Sequence, residues 1–211
     1  MIGDKLLITD YHRQGAAQAL ETIRPKLEGG TLIIAVAGES GSGESEIAHV
    51  IRETLQREGH TAIVLGQNDY FILPPRSNHE QRQEDLSWVG MGEVRLDLLD
   101  EHLAAFKSGE AATVTKPLVY FEENRVGEET VAGGAYGAVI VEGTYATALE
   151  NVDVRVFINR NYRQTKQSRL ARDRDPDVAF LEQVLEIEHG IISQHMARAD
   201  VVIAPPEEER D

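Results

Sequence analysis

One short stretch constrains this chain more than any other. Leu32-Ile33-Ile34-Ala35-Val36-Ala37 is an unbroken apolar run, and Gly38-Glu39-Ser40-Gly41-Ser42-Gly43-Glu44-Ser45 follows it at once. An apolar run of that length, bounded by glycine, reads as a strand buried on both faces, the kind that parallel sheets use. Behind the glycines, Ile47, Val50, Ile51 and Leu55 share one face of a helix over residues 45–58, with Gly59 past its end. Residues 61–65 form a second buried strand, so strand, helix and strand make a βαβ unit.

The alternation continues along the chain. Residues 11–27 carry Ala17, Leu20, Ile23 and Leu27 at helical spacing, stopped by Gly29-Gly30. Residues 72–92, with Pro74-Pro75 and Trp88, read as a loop-rich stretch. Residues 93–107 read as a helix through Val94, Leu98, Leu99, Leu103 and Phe106. Residues 113–120 and 128–131 pair as a hairpin around Glu122-Glu123-Asn124. Apolar strands return at 138–141, 154–158 and 201–203, with a basic helix over 161–174 and a longer helix over 177–196. Pro205-Pro206 and the acids after them read as a frayed end. Strands alternating with helices predict an α/β fold, a mostly parallel sheet flanked by helices. All of residues 1–211 read as a single domain.

Composition narrows the function classes. The 36 acidic residues outnumber 21 basic ones, a net charge of −15, which argues against a surface that coats nucleic acid. A local pocket for a phosphate is compatible with that balance. With no cysteine, disulfides, Cys-ligated zinc and thiol catalysis are excluded. No basic leader precedes an apolar run at the start, and no apolar run approaches ~18 residues, so neither a signal peptide nor a membrane span is expected. A cytoplasmic protein follows as the expectation. The oligomeric state stays open between monomer and homo-oligomer.

Glycines at 38, 41 and 43, then a polar pair opening a helix, have the layout of a phosphate-cradling P-loop. Glycines let the backbone curl so that N–H groups point inward, and the helix adds its positive end. Gly38, Ser40, Gly41, Ser42, Gly43, Glu44 and Ser45 are therefore the candidate nucleotide-binding residues, with the Ser45 hydroxyl placed to hold Mg²⁺. One residue departs from the layout: Glu44 stands where a lysine reaches the β- and γ-phosphates. At ~4 Å and an effective dielectric of ~20 a unit-charge pair is worth about 4 kcal/mol, so reversing its sign shifts the balance by up to about twice that. Glu44 faces the phosphates, swings away or ligates Mg²⁺; sequence leaves the three open.

Three further segments carry chemistry. Gln67-Asn68-Asp69-Tyr70-Phe71 ends the second strand, where a carboxylate is well placed for a substrate hydroxyl or a metal. Val139-Ile140-Val141-Glu142-Gly143 ends an apolar strand in an acid that would hold Mg²⁺ directly or through water. Arg163, Lys166, Arg169, Arg172 and Arg174 follow one helical segment of an otherwise acidic chain, which suits a lid closing on phosphates. The seven histidines show no metal-ligand spacing and are taken as structural or surface residues.

From Leu32 to Ile203 these motifs together resemble the uridine kinase and phosphoribulokinase family of P-loop kinases. Residues 67–71 look like its Asp-x-Phe-Tyr-type segment, and residues 93–99 like the helix after its substrate loop. Lys116-Pro117-Leu118-Val119-Tyr120 with Arg125 is similar to its substrate-covering hairpin. Glu142-Gly143-Thr144-Tyr145 looks like its Glu-Gly segment, Arg169-Leu170-Ala171-Arg172-Asp173 like its lid signature, and residues 199–203 like its closing strand. The resemblance implies a P-loop fold with residues 72–132 as a substrate-side insertion and 161–176 as a helical lid. It implies transfer of the γ-phosphoryl group of ATP, with Mg²⁺, to a hydroxyl of a nucleoside or similar metabolite. Asp69, Asn68, Glu142, Arg169 and Arg172 would be the catalytic set, Tyr70, Tyr120 and Arg125 the substrate set, and Ser45 and Glu142 the metal set. Asn68 aligns with the family's base-like Asp, leaving Asp69 as a substitute shifted by one. With Glu44, that gives two departures at catalytic positions. They set an active kinase against an inactive pseudokinase or ligand-binding protein, and against an interaction protein keeping only the fold.

Overall fold

The computed structural model describes residues 6–134, 136–167, 169 and 178–209. In chain order the strands are β1 (Leu32–Gly38), β2 (Ala62–Gly66), β3 (Thr113–Tyr120), β4 (Arg125–Ala132), β5 (Ala138–Glu142), β6 (Val154–Ile158) and β7 (Val201–Ile203). Five of them form one parallel sheet in the order β2-β5-β1-β6-β7. Strands β1 and β2, consecutive in sequence, are therefore not neighbours. β5 lies between them, and Glu142 pairs with both Val36 and Gly66. That register sets the Glu142 carboxylate between the strand ends from which the glycine loop and the Asn68 segment depart.

Apolar strands need cover on both faces, and alternation along each strand supplies two interior surfaces. Ile34, Val36, Ile140 and Val156 meet Ala16, Leu20 and Ile23 of α1 (Asp10–Ile23) and Ile47 and Ile51 of α2 (Glu44–Arg57). Beyond α3 (Pro75–Glu84) comes α4 (Leu96–Ser108), and α5 (Val178–Ile192) precedes β7. Ile33, Ala35, Val139 and Phe157 on the opposite face pack with Leu99, Leu103 and Phe106 of α4 and Ile192 of α5. β3 and β4 stand apart as an antiparallel hairpin, Thr113 opposite Ala132 and Tyr120 opposite Arg125.

Several expectations need correction. The stretch over 72–92 is not mainly loop, because α3 starts at Pro75, a residue suited to a first helical turn. Its sequence has no apolar stripe, so periodicity could not announce it. The helix expected from 93 starts at Leu96, since Val94 bridges to Phe71. Ala17 is exposed, the buried stripe of α1 being His12, Ala16, Ala19 and Ile23. The end expected to fray turns through Glu207–Glu209, where Glu209 pairs with Arg160 at 2.7 Å. Of the basic segment, Lys166 and Arg169 are helical; Arg172 and Arg174 lie outside the described residues. Among the described residues, no helix is long and apolar enough to cross a membrane.

Candidate active site

The glycine loop is shaped by its backbone. A Cβ on Gly38 would lie 2.3 Å from Ser42 Oγ, and Gly41 and Gly43 sit at φ +79° and +111°. Side-chain-bearing residues adopt such angles rarely, so this curl needs glycine. Ser42 N–H closes the turn on the Glu39 carbonyl at 2.9 Å, and α2 begins at Glu44. Just inside that helix, Ser45 Oγ donates to Glu142 Oε2 at 3.1 Å. A hydroxyl beside a carboxylate is the kind of partial oxygen shell Mg²⁺ accepts, completed elsewhere by phosphate and water. Ser45 and Glu142 therefore fit Mg²⁺ in donor type.

The phosphate position fits in shape and fails in charge. Glu44 is buried, and its Oε2 accepts the Gly43 N–H at 3.1 Å, so a carboxylate of the chain occupies a donor of the loop. Glu46, in the first turn of α2, is buried and accepts Leu7 N–H at 3.3 Å. Glu39 is also buried. Its Oε2 accepts Tyr162 N–H at 2.6 Å, and its Oε1 lies 2.6 Å from His189 Nδ1. His12 closes the other side, its ring 2.7 Å from where a Gly43 Cβ would stand. Ser40 and Ser42 contribute carbonyls: Ser40 O accepts from Thr165 Oγ1 at 2.9 Å, and Ser42 O from Arg160 at 3.3 Å.

Arg169 is brought to the loop. Its Cγ is 2.9 Å from where a Gly41 Cβ would stand, and its Nη1 donates to Tyr162 O at 2.6 Å and reaches Ser40 O at 3.5 Å. Two other nearby cations meet acids, Arg160 pairing with Glu209 and Lys166 with Glu182, each at 2.7 Å, whereas Arg163 lies over the Tyr162 ring and donates to its hydroxyl at 3.3 Å. Sequence reading passed over Arg160 and took His12 and His189, with the other histidines, as structural or surface residues. Arg160 follows the β6 apolar run by two positions, a signal in hindsight; the two histidines had none.

Asp69 and Asn68 part company in the turn Gln67–Tyr70 that follows β2. Asp69 is buried, its Oδ2 taking Lys116 Nζ and its Oδ1 taking Val119 N–H, both at 3.0 Å. Lys116 also meets Glu129 at 3.1 Å. Both oxygens of Asp69 thus hold the hairpin against the sheet, and the residue also lines a cavity of about 430 Å³ with Ser45, Lys116 and Glu142. Asn68 instead lines a cavity of about 230 Å³ with Phe71, Leu73, Phe121, Asn78 and Arg82.

Tyr70, Tyr120 and Arg125 do not line this cavity. Tyr70 is fully buried with its hydroxyl 2.9 Å from His102 Nδ1, and burial with the Asp69 charge pushes its phenol up. Arg125 stacks over the Tyr120 ring at 3.8 Å and pairs with Glu123 at 2.9 Å. The flanking Val119 and Phe121 do line the cavity.

Arg82 belongs to a buried polar cluster that sequence reading missed with α3. Its Nε donates to Glu93 Oε2 at 2.5 Å, and its Nη2 to Glu93 Oε1 and Glu188 Oε1, both at 3.0 Å. Glu93 also accepts Asn78 Nδ2 and Gly90 N–H, each at 2.6 Å, while Trp88 Nε1 donates to Asn78 Oδ1 at 2.9 Å. Burial pushes the Glu188 carboxyl up, with Arg82 opposing and Glu93 adding to the shift.

A sequence model of the Phosphoribulokinase / Uridine kinase family matches residues 33–205. The chain is 25% identical over 186 residues to the bifunctional alpha-galactosidase/sucrose kinase AgaSK of Mediterraneibacter gnavus, covering 82% of this chain and 20% of that protein. It thus spans about a fifth of that relative's length. It is 29% identical over 159 residues to the uridine kinase of Staphylococcus haemolyticus (strain JCSC1435), covering 74% of each. In structure it superposes on a possible uridine kinase from Bacillus stearothermophilus with a TM-score of 0.62 and 19% identity, over 90% of this chain and 98% of that one.

Proposed function

The chain belongs to the phosphoribulokinase/uridine kinase family, and from that premise we propose that it binds a small hydroxylated metabolite beneath its hairpin, on a kinase scaffold whose phosphoryl transfer is impaired. The observation that carries this reading is the Glu44 carboxylate on the Gly43 N–H. A phosphate entering the loop meets that anion where the family layout supplies a cation. Ser45 and Glu142 would hold Mg²⁺, which would supply positive charge against the phosphates. On the acceptor side, Asn68 lines the cavity. Its carboxamide orients a hydroxyl by hydrogen bonding but does not take the proton as a carboxylate does. Arg169 rests on loop and lid-root carbonyls. Work in the cytoplasm is part of the same proposal.

A second reading is an active ATP-dependent kinase, transferring the γ-phosphoryl group to a hydroxyl of a nucleoside or similar metabolite. The Ser45–Glu142 pair favours it, because the metal donors are kept in place. The two are separated by measuring ADP release and small-molecule binding side by side, with and without Mg²⁺, across nucleosides, sugars and small alcohols. The first reading expects binding without nucleotide and ADP release at background. Release that depends on one hydroxyl compound hands the protein to the second.

A further inference from the structure

We infer that the cavity beside Asn68 selects a neutral, hydroxyl-bearing ring compound and turns away its phosphate ester, because Arg82 brings it no uncompensated positive charge. The inference rests on the reading above that this cavity holds the small molecule. At about 230 Å³ the cavity is below the ~300–1,000 Å³ of ordinary ligand sites, which suits a ligand no larger than a monosaccharide or a nucleoside.

Its walls divide by chemistry. Phe71, Leu73 and Phe121 give an apolar side for the flat face of a sugar or a base. Asn78 has its amide donor on Glu93 and its oxygen on Trp88 Nε1. Arg82 spends Nε on Glu93 and Nη2 on Glu93 and Glu188. The groups left for a ligand are the Asn68 carboxamide and Arg82 Nη1, which suit hydroxyl oxygens.

Charge decides between an alcohol and its ester. One guanidinium faces two carboxylates, so the cluster carries no net positive charge even where burial keeps Glu188 protonated. Lys116, the nearest buried ammonium on the hairpin, is held between Asp69 and Glu129. A phosphate ester brings about −1.5 to −2 charges at neutral pH. Burying it among the lining residues would strip its water with no net positive charge there to replace it, since Arg76 on the same helix is exposed, sits on the Glu122 carbonyl and does not line the cavity.

The test is calorimetric titration of the full chain, without nucleotide, by two neutral compounds, uridine and fructose. Their monophosphates follow, and a neutral methyl ether at the ester position serves as the size control. The expected result is that at least one neutral compound binds, its ester at least about tenfold more weakly, and its methyl ether within a few-fold. Which compound binds separates a nucleoside from a sugar. Asn68→Ala should weaken that binding roughly five- to tenfold with the melting temperature unchanged. An ester that binds as tightly as its alcohol overturns the inference and leaves the proposed function standing. A methyl ether rejected like the ester overturns it in favour of selection by size. Failure of every compound, neutral and esterified, overturns both.

Discussion

At the glycine loop, Glu39, Glu44 and Glu46 crowd a backbone curled to hold an anion. Beneath the hairpin, a single arginine meets two carboxylates that already balance it. The loop owes its form to glycine angles and to the start of a helix, to which the side chain at position 44 adds one hydrogen bond from Gly43 N–H. Shape and charge are therefore separable there, and one substitution changes the charge while leaving the curl. Under the hairpin the side chains are themselves the structure. Glu93 accepts from Arg82, Asn78 and Gly90 at once, so charge and shape change together. The difference teaches where this protein is editable: at the loop, function changes without the fold, and at the cavity it does not.

The sharpest way to break that comparison is Glu93→Ala. It leaves Arg82 with Glu188 alone and takes the acceptor from Asn78 Nδ2 and Gly90 N–H, and breaking a buried ion pair from one side costs about 3–5 kcal/mol. Urea denaturation should show a loss of that size. A loss under about 1 kcal/mol would mean the cluster is not structural, and the contrast with the loop would vanish.

Next in size is Gly43→Ala, which tests how far the loop's form is backbone-borne. A left-handed φ of +111° and a methyl 2.7 Å from the His12 ring should together cost about 1–3 kcal/mol. Adding His12→Ala should recover the steric share and leave the conformational one, a coupling that a double-mutant cycle reads directly. Strict additivity of the two changes would show that His12 does not press on the loop.

Glu44→Lys should leave stability within about 1 kcal/mol and act on binding instead. If screening removes nine-tenths of the ~8 kcal/mol charge swing, somewhat under 1 kcal/mol remains, a few-fold gain in Mg·ATP affinity; weaker screening gives more. Glu44→Gln should fall between. Equal affinities in a calorimetric series at one ionic strength would place the carboxylate away from the phosphates.

The smallest effect concerns pH. Burial holds His102 below the ordinary histidine value of 6.5, beside the Tyr70 hydroxyl. Between its two values the unfolded chain binds the proton and the folded chain does not. Its contribution is then full above the unfolded value and is lost as pH falls through that value toward the folded one. His102→Gln should flatten the decline in melting temperature below roughly pH 6.5 relative to the parent chain. Parallel profiles would show that His102 carries no share. His195, lowered by burial in the same direction, supplies the residual slope.

Local pattern made much of this readable in advance. The glycine spacing after an apolar run placed the loop and α2, and the acid ending β5 was paired with Ser45 as a metal set, which stand 3.1 Å apart. The hairpin and β6 and β7 also follow from short-range alternation. α3 was illegible because PRSNHEQRQE has no hydrophobic period, its helix being held by polar contacts to residues distant in sequence. Asp69 was readable as a carboxylate at a strand end, but its pairing with Lys116, 47 residues on, which ties it to the hairpin, was not.

What the sequence determined by itself is whatever depends on neighbours within a turn or a strand: the α/β alternation, the curl at Gly38–Ser45 and the wrong sign at Glu44. Tertiary structure decided what depends on partners far along the chain. It set Glu142 between β1 and β2, buried Tyr70, and turned Asp69 inward while leaving Asn68 to the cavity. The physical reason is that φ and ψ preferences act locally, whereas the cost of burying a charge is settled by whichever group packing brings within hydrogen-bond reach.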